Sequence, residues 1–385
     1  MGVLENIIKF PMKVLVGLRA RGNSVVGIDI GFSSIKIVQL RKDGGRAILE
    51  TYGELALGPY AGLDVGQATS LPAVKIAEAL KDLVREANVT TKHGAFSIPL
   101  SSSLTTVISL PSVAESELKS MIPIEARKYI PVPISEVMLD FLVIPPQEKD
   151  TIELERETGI ERSQKTSEAN KTEVLLVAIH NSIITKYQEI AEEDGFDVSF
   201  LEIETFSAIR SLLSGGPGTF LLLDMGAAAT NVSVVENGVV YQSHVINRGS
   251  QDITIALSRS LGIGILKAEE MKRKEGLLQN VGLGNNAAAT GNLIMEGVFA
   301  EVNRVLLEYE KKQHKTIDKV ILSGGGALLK GVLSFAKKNL ETEVALGDPF
   351  VKVETPAFLG GLLKEIGPSF AVSLGVALRR LQESE

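Results

Sequence analysis

The chain contains no cysteine and no tryptophan among its 385 residues. Without cysteine it has no disulfide bond, no thiolate nucleophile and no zinc–thiolate site, which fits a protein of the reducing cytoplasm. Aromatic residues make up 5% of the sequence and the net charge is −7, so we expect no nucleic-acid partner. The four histidines follow no metal-ligand spacing and are interpreted as structural: His93, His180, His244 and His314.

Long apolar runs are also absent. No stretch of about 18 or more uncharged apolar residues occurs, so we predict no transmembrane helix. The first residues lack the basic region, apolar core and small-residue cleavage site of a signal peptide. With 44% apolar content, the chain is nevertheless long enough for two or more domains with large cores.

One stretch, Val25–Leu40, has the pattern of a buried strand, a tight turn and a second strand. Asp29 ends the first strand, where a carboxylate needs a partner, and a hydrated divalent cation is a natural one. Gly31 lets the backbone approach a ligand closely, and the amide groups of such a turn can cradle an anion. Lys36 is close enough in sequence to reach the same phosphates.

The same pattern recurs 195 residues later, in Phe220–Val235. Asp224 corresponds to Asp29 and Gly226 to Gly31, and both hairpins lead into a polar turn that ends in glycine. Such a repeat indicates duplication of one structural unit. Two facing hairpins are expected to grip one nucleotide triphosphate and its metal from two sides. The alternative is two ordinary hairpins with exposed turns.

A third glycine-rich segment, Leu322–Gly331, completes a set that resembles the actin, Hsp70 and FtsA superfamily of ATPases from about Ser24 to the end of the chain. The resemblance implies an α/β fold with a duplicated, actin-like and ribonuclease H-like ATPase core. Three further segments resemble the PilM family of type IV pilus assembly: Glu125–Ile134, Leu139–Phe141 and Pro368–Arg379. The resemblance also implies a small α+β insertion of the SHS2 type, called 1C, which actin lacks at this place.

The resemblance further implies which residues bind ATP and Mg²⁺. The positions that match the phosphate, metal and adenosine sites of the superfamily are Asp29, Gly31, Ser33, Ser34, Lys36, Asp224, Gly226, Thr230, Gly324, Gly325 and Gly326. Asp29 and Asp224 are the implied metal residues, the first by ordering water on Mg²⁺.

Three other matched positions have an equally good structural interpretation. Glu269 and Lys272 resemble the E-x-x-K that contacts ribose, and they share one helix face, where a surface ion pair is the alternative. Glu204 matches a catalytic, water-positioning glutamate of Hsp70-like members. A first-turn glutamate that favours the helix dipole is its alternative.

The second hairpin departs from the superfamily at Ala227–Ala229, where strong ATPases carry glycine. Each Cβ restricts the backbone and keeps it further from phosphate. We therefore expect nucleotide binding without fast hydrolysis, so the chain is at most a slow ATPase.

The sequence predicts six segments. Residues 1–23 are an amphipathic N-terminal segment, 24–100 the first actin-like half (1A), 101–195 the insertion, 196–213 a return to the first half, 214–369 the second half (2A and 2B, with 2B at about 267–316) and 370–385 a C-terminal helix that returns to the first half. Within them we predict a long polar loop at 145–172 and a loop that breaks a helix at 282–291. Residues 1–22, with a basic excess, are expected either to associate peripherally with a membrane or partner, or to pack on their own domain.

The favoured function is a cytoplasmic, ATP-binding scaffold at the inner membrane. By resemblance, its partners are the cytoplasmic N-terminal peptide of a PilN-like membrane protein and other proteins of the pilus platform, and self-association stays open. We expect the peptide beside Tyr129–Ile134, where two prolines preorganise an apolar ledge. The alternative is that the isoleucines of this ledge only pack the insertion's own core.

Two other functions stay open. An FtsA-like cell-division filament protein would share the insertion, although this chain ends in a segment too short and polar to serve as a membrane tether. A small-molecule kinase of the same superfold would need a general-base carboxylate, for which the sequence shows no distinct motif.

Overall fold

The computed structural model describes residues 24–144, 171–278 and 285–383. The predicted amphipathic segment at 1–23 lies outside this part of the chain. Most of the predicted loop at 145–172 lies outside it as well.

Two five-stranded sheets of the same design form the core. The first consists of β1 (Ser24–Ile30), β2 (Ser34–Asp43), β3 (Arg46–Ala56), β4 (His93–Ile98) and β8 (Asp197–Ile203), in the order β3-β2-β1-β4-β8. The second consists of β9 (Thr219–Met225), β10 (Thr230–Glu236), β11 (Val239–Ile246), β12 (Lys319–Ser323) and β13 (Glu343–Leu346), in the order β11-β10-β9-β12-β13. In each sheet an antiparallel meander is followed by two strands parallel to its first strand. The matching order confirms the duplicated α/β core.

The helices cover these sheets. The first half carries α1 (Ala73–Glu86), α3 (Asn181–Glu193), α4 (Glu204–Leu212) and α10 (Ala371–Gln382). The second half carries α5 (Ser250–Leu261), α6 (Ile265–Glu275), α7 (Asn285–Gln313) and α8 (Val332–Asn339). A short helix, α9 (Gly360–Ile366), precedes α10 in the chain. The apolar run of β1 is buried on both faces, because Val26 packs in the α1 layer and Val25 in the α10 layer. α1 buries Ile76 and Leu80, which lie one turn apart on its inner face.

The insertion is a three-stranded antiparallel sheet made of β5 (Ser103–Pro111), β7 (Lys171–His180) and β6 (Val137–Val143), in that order. Helix α2 (Glu115–Ala126) packs on one face through Leu118 and Ile122, as its pattern predicts. Ile130 is buried in the same cluster, and Ile134 packs against it. The isoleucines of the predicted ledge therefore pack the insertion's own core, which leaves Tyr129 and the two prolines exposed.

Helix α3 lies in the first half and not in the insertion, so the predicted boundary at 195 differs from the packing. Ile184, Tyr187 and Ile190 join the buried cluster beneath the first sheet. The reason is topological: β4 and β8 are parallel neighbours and need a crossover helix, which α3 supplies. The insertion interrupts this crossover between β4 and α3.

Helix α10 packs so closely on β1 and on α4 that glycine is required on β1 and on α10 itself. A Cβ at Gly27 would lie 2.1 Å from the carbonyl oxygen of Ser373, and one at Gly375 would lie 1.9 Å from that of Ser207. The helical stretch Ala357–Gln382 meets the length and hydropathy of a membrane span, which the sequence had not predicted, but 67% of its most apolar window is buried inside the protein. Its apolar character is accounted for by this packing.

Two predicted boundaries were wrong. Helix α7 begins at Asn285, inside the predicted loop 282–291, and β7 begins at Lys171, inside the predicted loop 145–172. The glycine turn after β12 leads into a 3₁₀ turn at Gly325–Leu328, so the next helix begins only at Val332.

Candidate functional site

A cleft of about 340 Å³ separates the two halves. The β1–β2 turn borders it from the first half, and the β9–β10 turn borders it from the second half. Of the predicted site residues, all but Thr230 line this cleft. Thr230 is buried beside it and donates a hydrogen bond from Oγ1 to the Arg248 carbonyl at 2.9 Å. The structure thus brings together residues that are almost 300 positions apart, from Asp29 to Gly326.

The first turn is closed by a hydrogen bond from the Gly31 amide to the Ser34 carbonyl at 3.0 Å. Lys36 stands opposite Asp29 in the β1–β2 register, so both side chains belong to the same end of the hairpin. Its Nζ lies 2.8 Å from Ser34 Oγ and 3.3 Å from a Glu54 carboxylate oxygen. The ammonium group is therefore held at the turn, facing the cleft.

The second turn repeats this closure with a hydrogen bond from the Gly226 amide to the Ala229 carbonyl at 2.9 Å. A Cβ at Gly226 would lie 2.8 Å from that carbonyl oxygen, which explains the glycine. The Gly226 and Ala227 carbonyls also accept bonds from the first amides of α5, at Ser250 and Gln251. The loop is therefore fixed against the start of α5.

Three half-buried carboxylates meet at the bottom of the cleft: Asp29, Asp224 and Glu204. Burial raises the pKa of each of them, and it raises that of Asp224 to about 6. Mutual repulsion adds to the effect, since Asp29 raises the pKa of Asp224 and both raise that of Glu204 well above its usual range. The site thus carries more negative charge than its own cations balance.

Hydrogen bonds hold these carboxylates in place. Ser97 Oγ donates to Asp29 Oδ1 at 2.7 Å. Glu204 Oε1 accepts from the Leu100 amide and from Asn231 Nδ2, both at 2.7 Å. Glu204 begins α4, and its bonds tie it to the end of β4 and across the cleft to β10. Within the described ranges, no three acidic or histidine side chains lie close enough to ligate one metal ion directly.

Glu269 and Lys272 form a buried ion pair at 2.6 Å and not a surface pair. Thr254 Oγ1 and Arg273 Nε each donate to Glu269 at 2.7 Å. Burial acts to raise the pKa of Glu269, but these partners, Lys272 first, bring it below its usual range. Burial lowers the pKa of Lys272.

In the turn after β12, Gly324 and Gly326 have no room for a Cβ atom, whereas Gly325 does. Gly324 has φ +81°, and a Cβ there would lie 2.4 Å from Asp224 Oδ1. A Cβ at Gly326 would lie 2.8 Å from Met225. Gly325 has nothing within 4 Å of its Cβ position, so its bare backbone faces the open cleft.

The loop between β3 and α1 reaches across the cleft, which the sequence pattern did not predict. Gly66 has φ +91°, and a Cβ there would lie 2.5 Å from the Glu269 carboxyl group. The Ala68 amide donates to Gln251 Oε1 at 2.5 Å. Four other residues of the site were not predicted from the sequence: Ser97, Asn231, Glu54 and Arg273. Asn231 had a detectable signal, since it stands opposite Asp224 in the second hairpin.

A family model described as type IV pilus assembly protein PilM matches residues 27–381. The cell division protein FtsA of Bacillus subtilis is 23% identical over 259 residues, which cover 62% of this chain and 58% of that protein. FtsA of Streptococcus pneumoniae is 24% identical over 204 residues, which cover 48% of this chain and 45% of that protein. The chain thus spans about half the length of these curated relatives.

A solved structure described as a PilM–PilN type IV pilus biogenesis complex is similar in fold. Its TM-score is 0.76 and its sequence is 24% identical, and the match covers 94% of this chain and 99% of that chain. The similarity agrees with the duplicated core and its insertion.

Proposed function

The chain belongs to the PilM family of type IV pilus assembly proteins, and from this premise we propose that it is an ATP-binding scaffold of the pilus assembly platform. The observation that carries the proposal is the convergence of two duplicated hairpins on one cleft, with Asp29 and Asp224 at its bottom. The scaffold acts on the cytoplasmic face of the inner membrane and holds the N-terminal peptide of a PilN-like protein.

The two hairpin turns, Lys36, Gly325 and the Glu269–Lys272 pair each have a place in this proposal. The turn amides of the two hairpins and Lys36 receive the phosphates, since a hairpin turn with glycine leaves amides free to donate. The exposed backbone of Gly325 receives the adenosine, because it has no side chain to hold a flat base away. The buried Glu269–Lys272 pair receives the ribose, and its position inside the cleft supports that role over a surface ion pair.

The donor chemistry of the cleft fits Mg²⁺. A divalent cation would relieve the repulsion among Asp29, Asp224 and Glu204. Because no three such groups in the described part of the chain converge on one point, Asp29 and Asp224 would hold the ion through its water molecules, as Mg²⁺ is commonly held. Bound Mg²⁺ would neutralise phosphate charge.

Glu204 is the candidate for orienting an attacking water molecule. Two hydrogen bonds on its Oε1 fix the carboxyl group, which is the kind of positioning that phosphoryl transfer requires. Ala227–Ala229 adds methyl groups beside the phosphate position, and the loop is already bound to α5. Hydrolysis should therefore be slow, well below about 10 per second, as a steady-state phosphate-release assay would measure.

The insertion contacts both halves, which gives nucleotide a route to the partner. Leu142 and Leu175 of the insertion share one apolar cluster with Ile209 of α4 and with Leu222 and Val240 of the second sheet. On the neighbouring edge, the hydroxyl groups of Thr105 and Ser243 lie 2.5 Å apart. A change in the angle between the halves must therefore repack the insertion, as in other hinge closures.

The experiment is a calorimetric titration of a synthetic PilN N-terminal peptide into the protein, with and without Mg-ATP. The proposal expects binding that a scrambled peptide does not show, and an affinity that changes with Mg-ATP. Linkage then requires the peptide to change the affinity for Mg-ATP by the same factor. Failure of the peptide to bind in both states would contradict the scaffold function.

The matches to FtsA favour one alternative, a cell-division filament protein. Filament formation would discriminate between the two functions, because a cell-division filament protein would polymerise with ATP and pellet on ultracentrifugation. The scaffold proposal expects the protein to stay in the supernatant under the same conditions.

A further inference from the structure

Three charged side chains form a row across the first sheet. Asp29 on β1, Lys36 on β2 and Glu54 on β3 stand directly opposite one another in the strand register, so their charges alternate. All three side chains line the cleft. Opposite charges on neighbouring strands attract, so Lys36 has a carboxylate on either side. Asp29 and Lys36 belong to the proposed nucleotide site, whereas Glu54 has no role in it so far.

Glu54 occupies groups that are proposed to receive phosphate. Lys36 Nζ lies 3.3 Å from Glu54 Oε1 and 2.8 Å from Ser34 Oγ. Desolvation in the cleft acts to raise the pKa of Glu54, but Lys36, Ser34 and then Arg273 bring it below its usual range. Glu54 is therefore charged at neutral pH, and it accepts from Lys36 in the place of a phosphate oxygen.

A second cation faces Glu54 from the other wall of the cleft. Arg273 of α6 has a side chain that is 66% exposed, and its Nε donates to Glu269 at 2.7 Å. Because a guanidinium group carries five N–H donors, Arg273 can bind a second carboxylate while it keeps Glu269. The Glu54 side chain is itself 47% exposed, so it can leave Lys36 without crossing the core.

The two walls already touch beside these residues, through the loop that follows β3. In the first turn, the Ser33 carbonyl accepts a backbone bond from the start of this loop at 2.9 Å. Further along the loop, Gly66 packs against the carboxyl group of Glu269, to which Arg273 is bonded. The loop thus joins the wall that carries Glu54 to the wall that carries Arg273, and closure at this contact brings the two charges together.

We propose that Glu54 competes with phosphate for Lys36 in the empty cleft and moves to Arg273 when Mg-ATP binds. The inference rests on the proposed nucleotide function and assigns Glu54 and Arg273 as positioning residues of that site. An arriving phosphate repels the Glu54 carboxylate and takes over Lys36. The released carboxylate pairs with Arg273 across the cleft, which draws the two halves together over the nucleotide.

The charges of the cleft favour this exchange over a fixed pair. A carboxylate that stayed on Lys36 would stand beside the phosphates and neutralise the cation that they need. Asp29, on the other side of Lys36, is proposed to meet the phosphates through hydrated Mg²⁺. Glu54 has no such mediator, and Arg273 supplies the compensating charge on the opposite wall.

The test is a double-mutant cycle of E54Q and R273Q, with the affinity for Mg-ATP measured by calorimetric titration. R273Q removes the pair of the occupied cleft. Adding E54Q to R273Q then removes only the competition, and it should tighten binding about two- to five-fold, the range of a part-exposed ion pair. R273Q should weaken binding by a larger factor in the wild type than in E54Q, because only the wild type has the pair to lose. E50Q and K274Q, which remove the same charges from exposed positions of β3 and α6, should bind as the wild type does.

Spin labels supply the second readout, on closure itself. The chain has no cysteine, so K75C on α1 and K267C on α6 would carry labels at these two exposed positions alone, one in each half. Mg-ATP should shorten the distance between the labels, and it should do so less in E54Q and in R273Q.

Two results would overturn the inference and leave the nucleotide site standing, since the wild type would still bind Mg-ATP. They are additive effects of E54Q and R273Q on affinity, and equal shortening of the label distance in all backgrounds. Weaker binding when E54Q is added to R273Q would also overturn it, because Glu54 would then support phosphate binding and not compete with it. No binding of Mg-ATP to the wild-type chain would overturn both the inference and the proposed nucleotide function.

Discussion

Asn231 of the second half donates a 2.7 Å hydrogen bond to Glu204 of the first half, across the cleft. Asn231 also stands opposite Asp224 in the β9–β10 register. One amide side chain therefore connects the proposed water-positioning group with Asp224, the second proposed metal residue, and links the two halves.

Replacement of Asn231 by Ala should remove this connection. Among donors in the described residues, Glu204 then keeps the Leu100 amide, and the free energy of unfolding should fall by about 1–3 kcal/mol, as for other buried polar groups left short of a partner. Any phosphate release should fall as well. N303A is the matched control, because Asn303 bonds to the Asn339 carbonyl within the second half alone. Denaturant unfolding should find both variants destabilised, with phosphate release lowered only in N231A; equal release in the two would contradict the role given to Glu204.

Asp224→Asn should stabilise the protein in the absence of Mg²⁺ and nucleotide. The pKa of Asp224 in the folded protein is raised to about 6, above its ordinary value of 3.8, so the charged carboxylate costs stability at high pH. The cost is absent below pH 4, grows between pH 4 and 6, and is fully present above pH 6. At pH 8 the variant should gain about 1–3 kcal/mol, and the gain should vanish at acid pH.

Chemical denaturation of both forms across this pH range measures the effect. D318N serves as the control, because Asp318 is a carboxylate outside the cleft that accepts the Thr219 amide. A gain for D224N that does not depend on pH would show that carboxylate repulsion is not its cause.

The two neighbouring glycines of the β12 turn should respond differently to alanine. Gly324→Ala must adopt φ +81° and press a Cβ against Asp224 Oδ1, so we expect a loss of stability of about 1–3 kcal/mol or more. Gly325→Ala meets no atom within 4 Å and should unfold like the wild type. Its methyl group enters the cleft, however, and should weaken ATP binding. Thermal unfolding with ATP titration tests the pair, and full affinity in G325A would argue against an adenosine site at this turn.

Deletion of residues 1–22 should leave ATP binding intact. The first strand starts at Ser24, where Thr91 Oγ1 donates to the Ser24 carbonyl, so the core begins after the deleted segment. If the amphipathic segment binds membranes, co-sedimentation with anionic liposomes should drop. Equal sedimentation of the full and shortened chains would assign the segment to packing on its own domain.

The sequence predicted those features that depend on local patterns and on repetition. Of the 14 predicted site residues, 13 line the cleft, and ten of these belong to the duplicated hairpins and the glycine turn, because a strand–turn–strand unit places its own ligands. Helix α3 was assigned to the wrong layer, since its amphipathic pattern is the same whether it packs on the insertion or on the first sheet. Ser97 of β4 and Glu54 of β3 were missed because only the pairing between strands brings them to Asp29 and Lys36.

Burial was the other unpredictable quantity. The spacing of Glu269 and Lys272 fits an exposed pair and a buried pair equally well, and only the packing of Thr254 and Gly66 around them separates the two. The orientation of the Thr230 side chain was not predictable either. Its position in the repeat suggested a phosphate contact, but its hydroxyl group donates to the Arg248 carbonyl.

The most direct measurement is calorimetric titration of Mg-ATP into the wild-type chain and into the double variant D29A/K36A. The two residues face each other at the cleft end of the first hairpin, so their loss should abolish Mg-ATP binding while circular dichroism shows an intact fold. D43A/K75A, which removes the same charges from exposed positions of the first half, should bind as the wild type does. Unchanged ATP affinity in D29A/K36A would contradict the assignment of this cleft as the nucleotide site.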